Sequence, residues 1–164
     1  MDAPLTLTHA DTGREPVSPE TAPSGLVLVI VGGHLRAELG DRAAATGLAC
    51  TLDARLHTLG SHLRACVVTD LWQLNDDRLA ACPAVCVGAP AVNAATASIA
   101  GRVPSVLSAE GRLVIQLDLT YRELTAACWG ATHTETASAC ILFAEKYAEP
   151  FARAAARLLA DAEG

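Results

Sequence analysis

The stretch GLVLVIVGGH, residues 25–34, sets the expectation for the fold. Its apolar run Leu26–Val31 is too short to span a bilayer, and it suits a strand that is buried on both faces of a parallel sheet. The two glycines that follow permit a tight exit from such a strand. We therefore predict that the folded part of the chain begins here, with the first strand of a parallel sheet.

Six further segments have the composition of strands. They are residues 48–52, 65–69, 84–87, 105–107, 112–119 and 124–129. The turn 109–111 joins the fourth and fifth of these segments into an antiparallel hairpin. In the second arm of that hairpin, leucine and isoleucine alternate with Val114, Gln116 and Asp118, which predicts a strand with one face more exposed to solvent than the other.

Helical segments separate the strands. We predict helices at 35–46 with Gly47 as C-cap, from Asn75 or Asp76 to 81, and from Asn93 to near Gly101. A capping box at 120–123 predicts one further turn, and another at 132–135 opens a long C-terminal helix. That helix has an apolar stripe made of Cys140, Ala144, Tyr147, Phe151, Ala155 and Leu158. Pro150 should kink or divide it.

This alternation predicts the fold class and the domain organisation. We expect an α/β fold, a Rossmann-like three-layer sandwich whose mostly parallel sheet carries one antiparallel hairpin and a long C-terminal helix. Residues 25–164 should form a single domain. Residues 1–24 contain four prolines among polar residues, and we predict that they form an N-terminal arm.

Charge and composition exclude some classes of partner. The net charge is −6 and the 12 Lys and Arg residues are scattered, so we expect no nucleic-acid partner. No apolar run is long enough to cross a membrane, and the N-terminus lacks a basic segment followed by an apolar one, so we expect no membrane partner and a cytoplasmic location. In that compartment the six cysteines should stay reduced.

Four loops that follow predicted strands carry the candidate site residues. Parallel strands place such loops at one edge of the sheet, the carboxyl edge, where α/β proteins bind ligands. Free N–H groups at helix starts favour an anionic or nucleotide-like small molecule. We predict acid–base roles for His34, Asp70 and His133. The predicted ligand-binding residues are Gly32, Gly33, Trp72, Asn75, Gly88, Asn93 and Thr132.

Several of these residues also have a structural interpretation. The glycines suit tight turns, and Asn93 and Thr132 suit helix caps. A metal held by His34, Asp70 and His133 is an alternative, but no pair has ligand spacing within one helix, so we predict no metal. The dinucleotide fingerprint, the phosphate-binding P-loop and the nucleophile elbow are all missing from the sequence, so the cofactor stays unknown.

The function therefore stays open between two classes. One is a ligand-binding α/β protein, acting as a hydrolase or transferase if it is an enzyme. The other is a non-catalytic structural protein, a homo-oligomer in which the C-terminal helix and the arm contact other copies.

Two motifs also resemble a known pattern. GAPAVN (88–93) and WGATHTETASA (129–139) are similar to loops in uncharacterised prokaryotic α/β domains and, distantly, to archaeal S-layer-associated domains. The family pattern reads G-G-P-x-x-N, and this sequence departs from it at Ala89. The resemblance implies a Rossmann-like fold and no established activity.

Overall fold

The computed structural model describes residues 25–110 and 112–163. The predicted arm at 1–24 and Gly111 of the predicted turn lie outside the described residues. The described strands are β1 Leu26–Val31, β2 Arg64–Thr69, β3 Ala84–Val87, β4 Ser105–Ala109, β5 Leu113–Leu117 and β6 Thr125–Gly130. The helices are α1 Leu35–Gly40, α2 Arg42–Thr58, α3 Asp70–Asn75, α4 Asp77–Ala80, α5 Ala94–Ile99, α6 His133–Lys146 and α7 Ala148–Glu163.

The strands form one mixed sheet in the order β2-β1-β3-β6-β5-β4. The strands β2, β1, β3 and β6 are mutually parallel, and β5 runs antiparallel to both of its neighbours. The strand directions confirm the predicted α/β class with a sheet that is mostly parallel and partly antiparallel. Since four loops leave parallel strands, all four lie at the carboxyl edge.

Helices cover both faces of the sheet because the strand side chains alternate between two apolar clusters. Val27, Val29 and Val31 of β1 pack with α2, α6 and α7 on what we call the first face. Leu28 and Ile30 face the other way and pack with α4 and α5 on the second face. The first face carries the three long helices, and the second carries short ones.

The predicted strand at 48–52 is wrong. These residues lie inside α2, and Gly47, the predicted C-cap, is an interior residue of the same helix. Leu48, Leu52 and Leu56 recur every four residues and are all buried, which is the helical period. Burial of this stripe against the sheet outweighs the glycine's low helix propensity, a cost of about 1 kcal/mol.

Two helix predictions also need correction. The segment 35–46 is not one helix, because α1 ends at Gly40 and α2 begins at Arg42. The one-turn helix at 120–123 does not form, because the Asp118 carboxylate accepts the N–H groups of Thr120, Arg122 and Glu123 instead. The predicted division of the C-terminal helix is confirmed. The C-terminal segment divides at Tyr147 into α6 and α7, and Pro150 lies in the first turn of α7.

Candidate functional site

The sheet changes winding direction at β1, which lies between β2 and β3. The connection from β1 to β2 covers the first face, and the connection from β2 to β3 covers the second. Ligands of open α/β sheets bind at such switch points, outside the carboxyl ends of the strands. Here the two loops touch, because a Cβ built on Gly32 would lie 1.9 Å from the carbonyl oxygen of Val92. Backbone therefore fills the space directly between β1 and β3.

Asp70 holds three segments of this edge together. Its Oδ1 accepts the N–H groups of Gly33 and Leu71, each at 2.7 Å. Its Oδ2 accepts the N–H of Ala94, also at 2.7 Å. The side chain is buried, and charge-assisted hydrogen bonds to three backbone donors compensate for the burial of the carboxylate. These contacts tie the loop after β1 to the starts of α3 and α5.

Asn93 makes a second set of structural contacts. Its Nδ2 donates to the carbonyl oxygens of Ile30 and Val87, both at 2.9 Å. Its Oδ1 accepts the N–H of Thr96 at 3.1 Å and so caps α5. The buried amide thus joins the ends of β1 and β3 to the helix that follows β3.

His133 and Asp41 form a contact that the sequence analysis missed. The Oδ1 atom of Asp41 lies 2.7 Å from Nδ1 of His133. The Asp41 side chain is 2% exposed, whereas the His133 side chain is 50% exposed. A buried carboxylate thus contacts an imidazole side chain that is half exposed.

Two glycines make room for this pair. A Cβ on Gly40 would lie 2.2 Å from Nδ1 of His133, so only glycine allows the ring to lie over the end of α1. Gly88 has φ of +107°, and a Cβ there would lie 2.9 Å from Oδ2 of Asp41. Gly88, one of the predicted ligand-binding residues, therefore lies beside the carboxylate.

The position of His133 follows from local helix chemistry. Thr132 caps α6, and its reciprocal hydrogen bonds with Glu135 complete the predicted capping box. His133 is consequently the first residue of the helix, which begins just after the carboxyl end of β6. Asp41 occupies the N-cap position of α2, but its side chain makes no capping hydrogen bond there, so a cap pattern in the sequence would not have indicated its contact with His133.

The contact with Asp41 determines which nitrogen of His133 is available. An ionised carboxylate can only accept a hydrogen bond, so Nδ1 carries the hydrogen of the neutral ring. The bare nitrogen is then Nε2, on the opposite side of the ring. Such a nitrogen can take a proton from a substrate or from water, which is the chemistry of a general base.

The remaining predicted residues are spread along the same edge. His34 caps α1 by accepting the N–H of Arg36 at 3.2 Å, and Trp72 projects into solvent from α3. The Nδ2 atom of Asn75 donates to the carbonyl oxygen of Leu71. Within the described residues, no hydrogen bond or ion pair joins His34, Asp70 and His133 to one another. The edge therefore holds one His–Asp pair and a separate network around Asp70.

Four surface cavities, of about 630, 340, 260 and 110 Å³, have linings that include none of the ten predicted site residues. The one of about 630 Å³ lies between the turn after β5 and α7.

Comparisons with known proteins add no assignment. No family model, no curated protein and no solved structure matches this chain, so the resemblance to prokaryotic α/β domains stays a prediction. In the part of the chain that the structure describes, no group of three or more His, Cys, Asp or Glu side chains is placed to hold a metal ion. Over the same residues, no helix has both the length and the apolar character needed to cross a bilayer.

Proposed function

We propose that this chain is a Rossmann-like α/β protein that binds a small anionic molecule at the carboxyl edge and acts on it by acid–base catalysis, as a hydrolase or transferase. The observation that carries the proposal is the 2.7 Å contact between buried Asp41 and half-exposed His133. His133 is the proposed catalytic residue, and Asp41 is its positioning residue. Asp41 thus takes the carboxylate role that the sequence analysis gave to Asp70.

The proposed chemistry uses Nε2 of His133 as the proton carrier. The nitrogen accepts a proton from water or from an acceptor hydroxyl as that oxygen attacks the substrate, and it returns the proton to the leaving group. Asp41 keeps the ring in the required tautomer. The N-terminus of α6, where His133 lies, favours a negatively charged substrate group nearby.

The other predicted residues support the edge in this proposal. Asp70 and Asn93 hold the loops after β1, β2 and β3 in place through backbone contacts. Their side-chain hydrogen bonds are already made to the protein, so we assign them a positioning role. His34 and Trp72 stay candidate ligand contacts because both side chains are exposed.

Hydrolysis of chromogenic esters tests the proposal. The wild-type chain is assayed with an aryl carboxylic ester and with an aryl phosphomonoester, which distinguishes the two classes of ester. We expect one of them to be hydrolysed, and His133→Gln to lower kcat/KM by at least about 100-fold. Exposed His57 on α2 provides the matched control, and His57→Gln should retain wild-type activity. Equal activity of His133→Gln and the wild type would refute the catalytic role.

Self-association is the second candidate, and exposed apolar side chains on α1 and α3 favour it. The C-terminal helix is less suited to this role than its sequence suggests. Phe151 and Ala155 of its apolar stripe are buried within the chain itself, in the cluster that includes α2. Sedimentation over a range of concentrations tests this candidate, since a monomer at high concentration contradicts it.

A further inference from the structure

The surface cavity of about 630 Å³ is a groove along one side of α7. Its other wall is the turn that joins β5 to β6. Leu124 of the turn and Pro150, Ala154 and Leu158 of α7 form the apolar part of the lining. We call this cavity the α7 groove. Its volume lies within the range of cavities that hold ligands in proteins.

The charge of the α7 groove has the opposite sign to that of the chain. Its lining contains four cationic side chains and three carboxylates, whereas the whole chain has a net charge of −6. Arg153 is paired with Glu149. Arg122, Lys146 and Arg157 are exposed and form no ion pair with any residue that the structure describes. The groove therefore offers three cations to an acidic partner.

The described chain begins close to this groove. The strands β1, β3 and β6 are neighbours and run parallel, so all three begin at the same edge of the sheet, which we call the amino edge. Leu28 pairs with Ala84, which pairs with Thr125, so two strand spacings of about 10 Å in total separate β1 from β6. Gly25 directly precedes β1 and Leu124 directly precedes β6, which places them roughly 12 Å apart. The residues before β1 thus enter the fold within a short distance of the α7 groove.

The segment 15–20, with the sequence Glu-Pro-Val-Ser-Pro-Glu, has the chemistry that this groove would recognise. It has a carboxylate at each end and one apolar side chain, Val17, between its two prolines. An extended chain rich in proline rises about 3 Å per residue, so the two carboxylates would be about 15 Å apart. The helix α7 rises about 14 Å from its first residue to Arg157, and Lys146 directly precedes that helix by two residues. The cations therefore have a spacing similar to that of the carboxylates.

The connection between this segment and β1 is long enough to reach the groove. Five peptide links join Glu20 to Gly25, and an extended chain of that length spans up to about 17 Å. This span exceeds the distance of roughly 12 Å from Gly25 to the groove wall at Leu124. So short a connection gives the segment a high effective concentration at the groove of its own chain.

We propose that the segment 15–20 docks in the α7 groove of its own chain. Its two glutamates lie beside the unpaired cations, and Val17 packs on the apolar part of the lining. The α7 groove is thus an interaction surface for an acidic peptide that contains proline. This role is separate from the proposed function, because the groove lies at the amino edge and His133 lies at the carboxyl edge.

Nuclear Overhauser contacts in the full chain, labelled with ¹³C and ¹⁵N, test the docking. We expect cross-peaks between the methyl groups of Val17 and those of Ala154 and Leu158. These cross-peaks should weaken in about 1 M NaCl, because charges are then screened beyond about 3 Å.

Substitutions in the α7 groove test the role of its cations. A protease that cleaves after glutamate should cut the undocked chain after Glu20, so its rate reports the undocked fraction. Lys146→Gln combined with Arg157→Gln removes two exposed ion pairs, and cleavage should become about fivefold faster. Arg36→Gln, at an exposed cation on α1, is the matched control and should leave the cleavage rate unchanged.

Substitutions in the N-terminal arm test the choice of segment. Glu15→Gln combined with Glu20→Gln should weaken the cross-peaks between Val17 and α7. Asp2→Asn combined with Asp11→Asn removes the same charge from another part of the same arm, and it should leave these cross-peaks as in the wild type.

Three results would overturn the inference. The first is the absence of cross-peaks between Val17 and α7, or equal cleavage rates in the groove variant and the Arg36→Gln control. The second is a set of cross-peaks that join labelled to unlabelled chains in a mixture, since a second copy would then fill the groove. The third is sulfate binding at the groove with the same affinity in the wild type and in the variant without both glutamates, since the groove would then be a site for small anions.

Discussion

Oδ1 of Asp41 lies 2.7 Å from Nδ1 of His133, although 92 positions separate these residues in the sequence. The contact joins the junction between α1 and α2 to the first residue of α6. A buried carboxylate is costly without a partner, so the imidazole contributes to the stability of this edge as well as to its proposed chemistry.

Substitution by alanine should change the free energy of unfolding in opposite directions at Gly32 and at Gly47. Gly32→Ala forces a Cβ to within 1.9 Å of the Val92 carbonyl oxygen, so we expect the free energy of unfolding to fall by about 3 kcal/mol or more. Gly47 is interior to α2, and a Cβ there meets nothing within 4 Å. Gly47→Ala should raise the free energy of unfolding by about 0.5–1 kcal/mol. Urea denaturation measures both, and two changes of the same sign would contradict the prediction.

Asn93 should matter far more for stability than Asn75. Asn93→Ala removes three hydrogen bonds and leaves the buried carbonyl oxygens of Ile30 and Val87 without this donor. We expect a loss of about 3 kcal/mol. Exposed Asn75 is the control, and Asn75→Ala should change stability by no more than about 0.5 kcal/mol. Chemical denaturation compares the two variants, and equal losses would show that Asn93 does not hold the loops together.

Asp118 should stabilise the turn after β5 over a defined pH range. The hydroxyl of Thr120, followed by the backbone N–H groups of Thr120, Glu123 and Arg122, lowers the pKa of Asp118 to about 2. An unfolded Asp titrates near pH 3.9, so the stabilisation is complete above about pH 4 and is lost as the pH falls towards 2. The difference in unfolding midpoint between the wild type and Asp118→Asn should shrink over that range. A difference that is the same at both ends of the range would be inconsistent with this assignment.

The cysteines should differ in their reactivity towards a thiol reagent. Burial raises the pKa of the Cys86 thiol to about 12 and raises the pKa of Cys66, Cys82 and Cys128. Cys50 is the exposed member of the set. Because the thiolate is the reactive form, native protein should show one fast-reacting thiol, and Cys50→Ser should remove it. A fast phase that persists in Cys50→Ser would mean that a second thiol is accessible.

Local patterns in the sequence were sufficient to predict most strands of the sheet. The segment Leu26–Val31 forms a strand because both of its faces are apolar, and the hairpin and the capping box at Thr132 follow from turn and cap chemistry. Residues 48–52 were misassigned because so short an apolar segment fits either period. The helical repeat becomes evident only when Leu56 is included.

The candidate site was harder to predict from the sequence than the strands were. Parallel pairing does bring the four predicted loops to one edge. Which side chains meet there depends on contacts between residues that are distant in the chain, and no local pattern encodes the Asp41–His133 pair. Asp70 and Asn93 have the polar character of ligand-binding residues, yet their hydrogen bonds go to the backbone of neighbouring loops.

The position of the hydrogen on the neutral His133 ring tests most directly the proposal that Asp41 orients His133 for catalysis. Nitrogen-15 NMR of the neutral ring should show the hydrogen on Nδ1 and a bare Nε2, because Asp41 accepts the hydrogen bond from Nδ1. In Asp41→Asn this preference should be lost, because an amide both donates and accepts. A neutral ring with its hydrogen on Nε2, or tautomer populations that are the same in the wild type and in Asp41→Asn, would contradict the account.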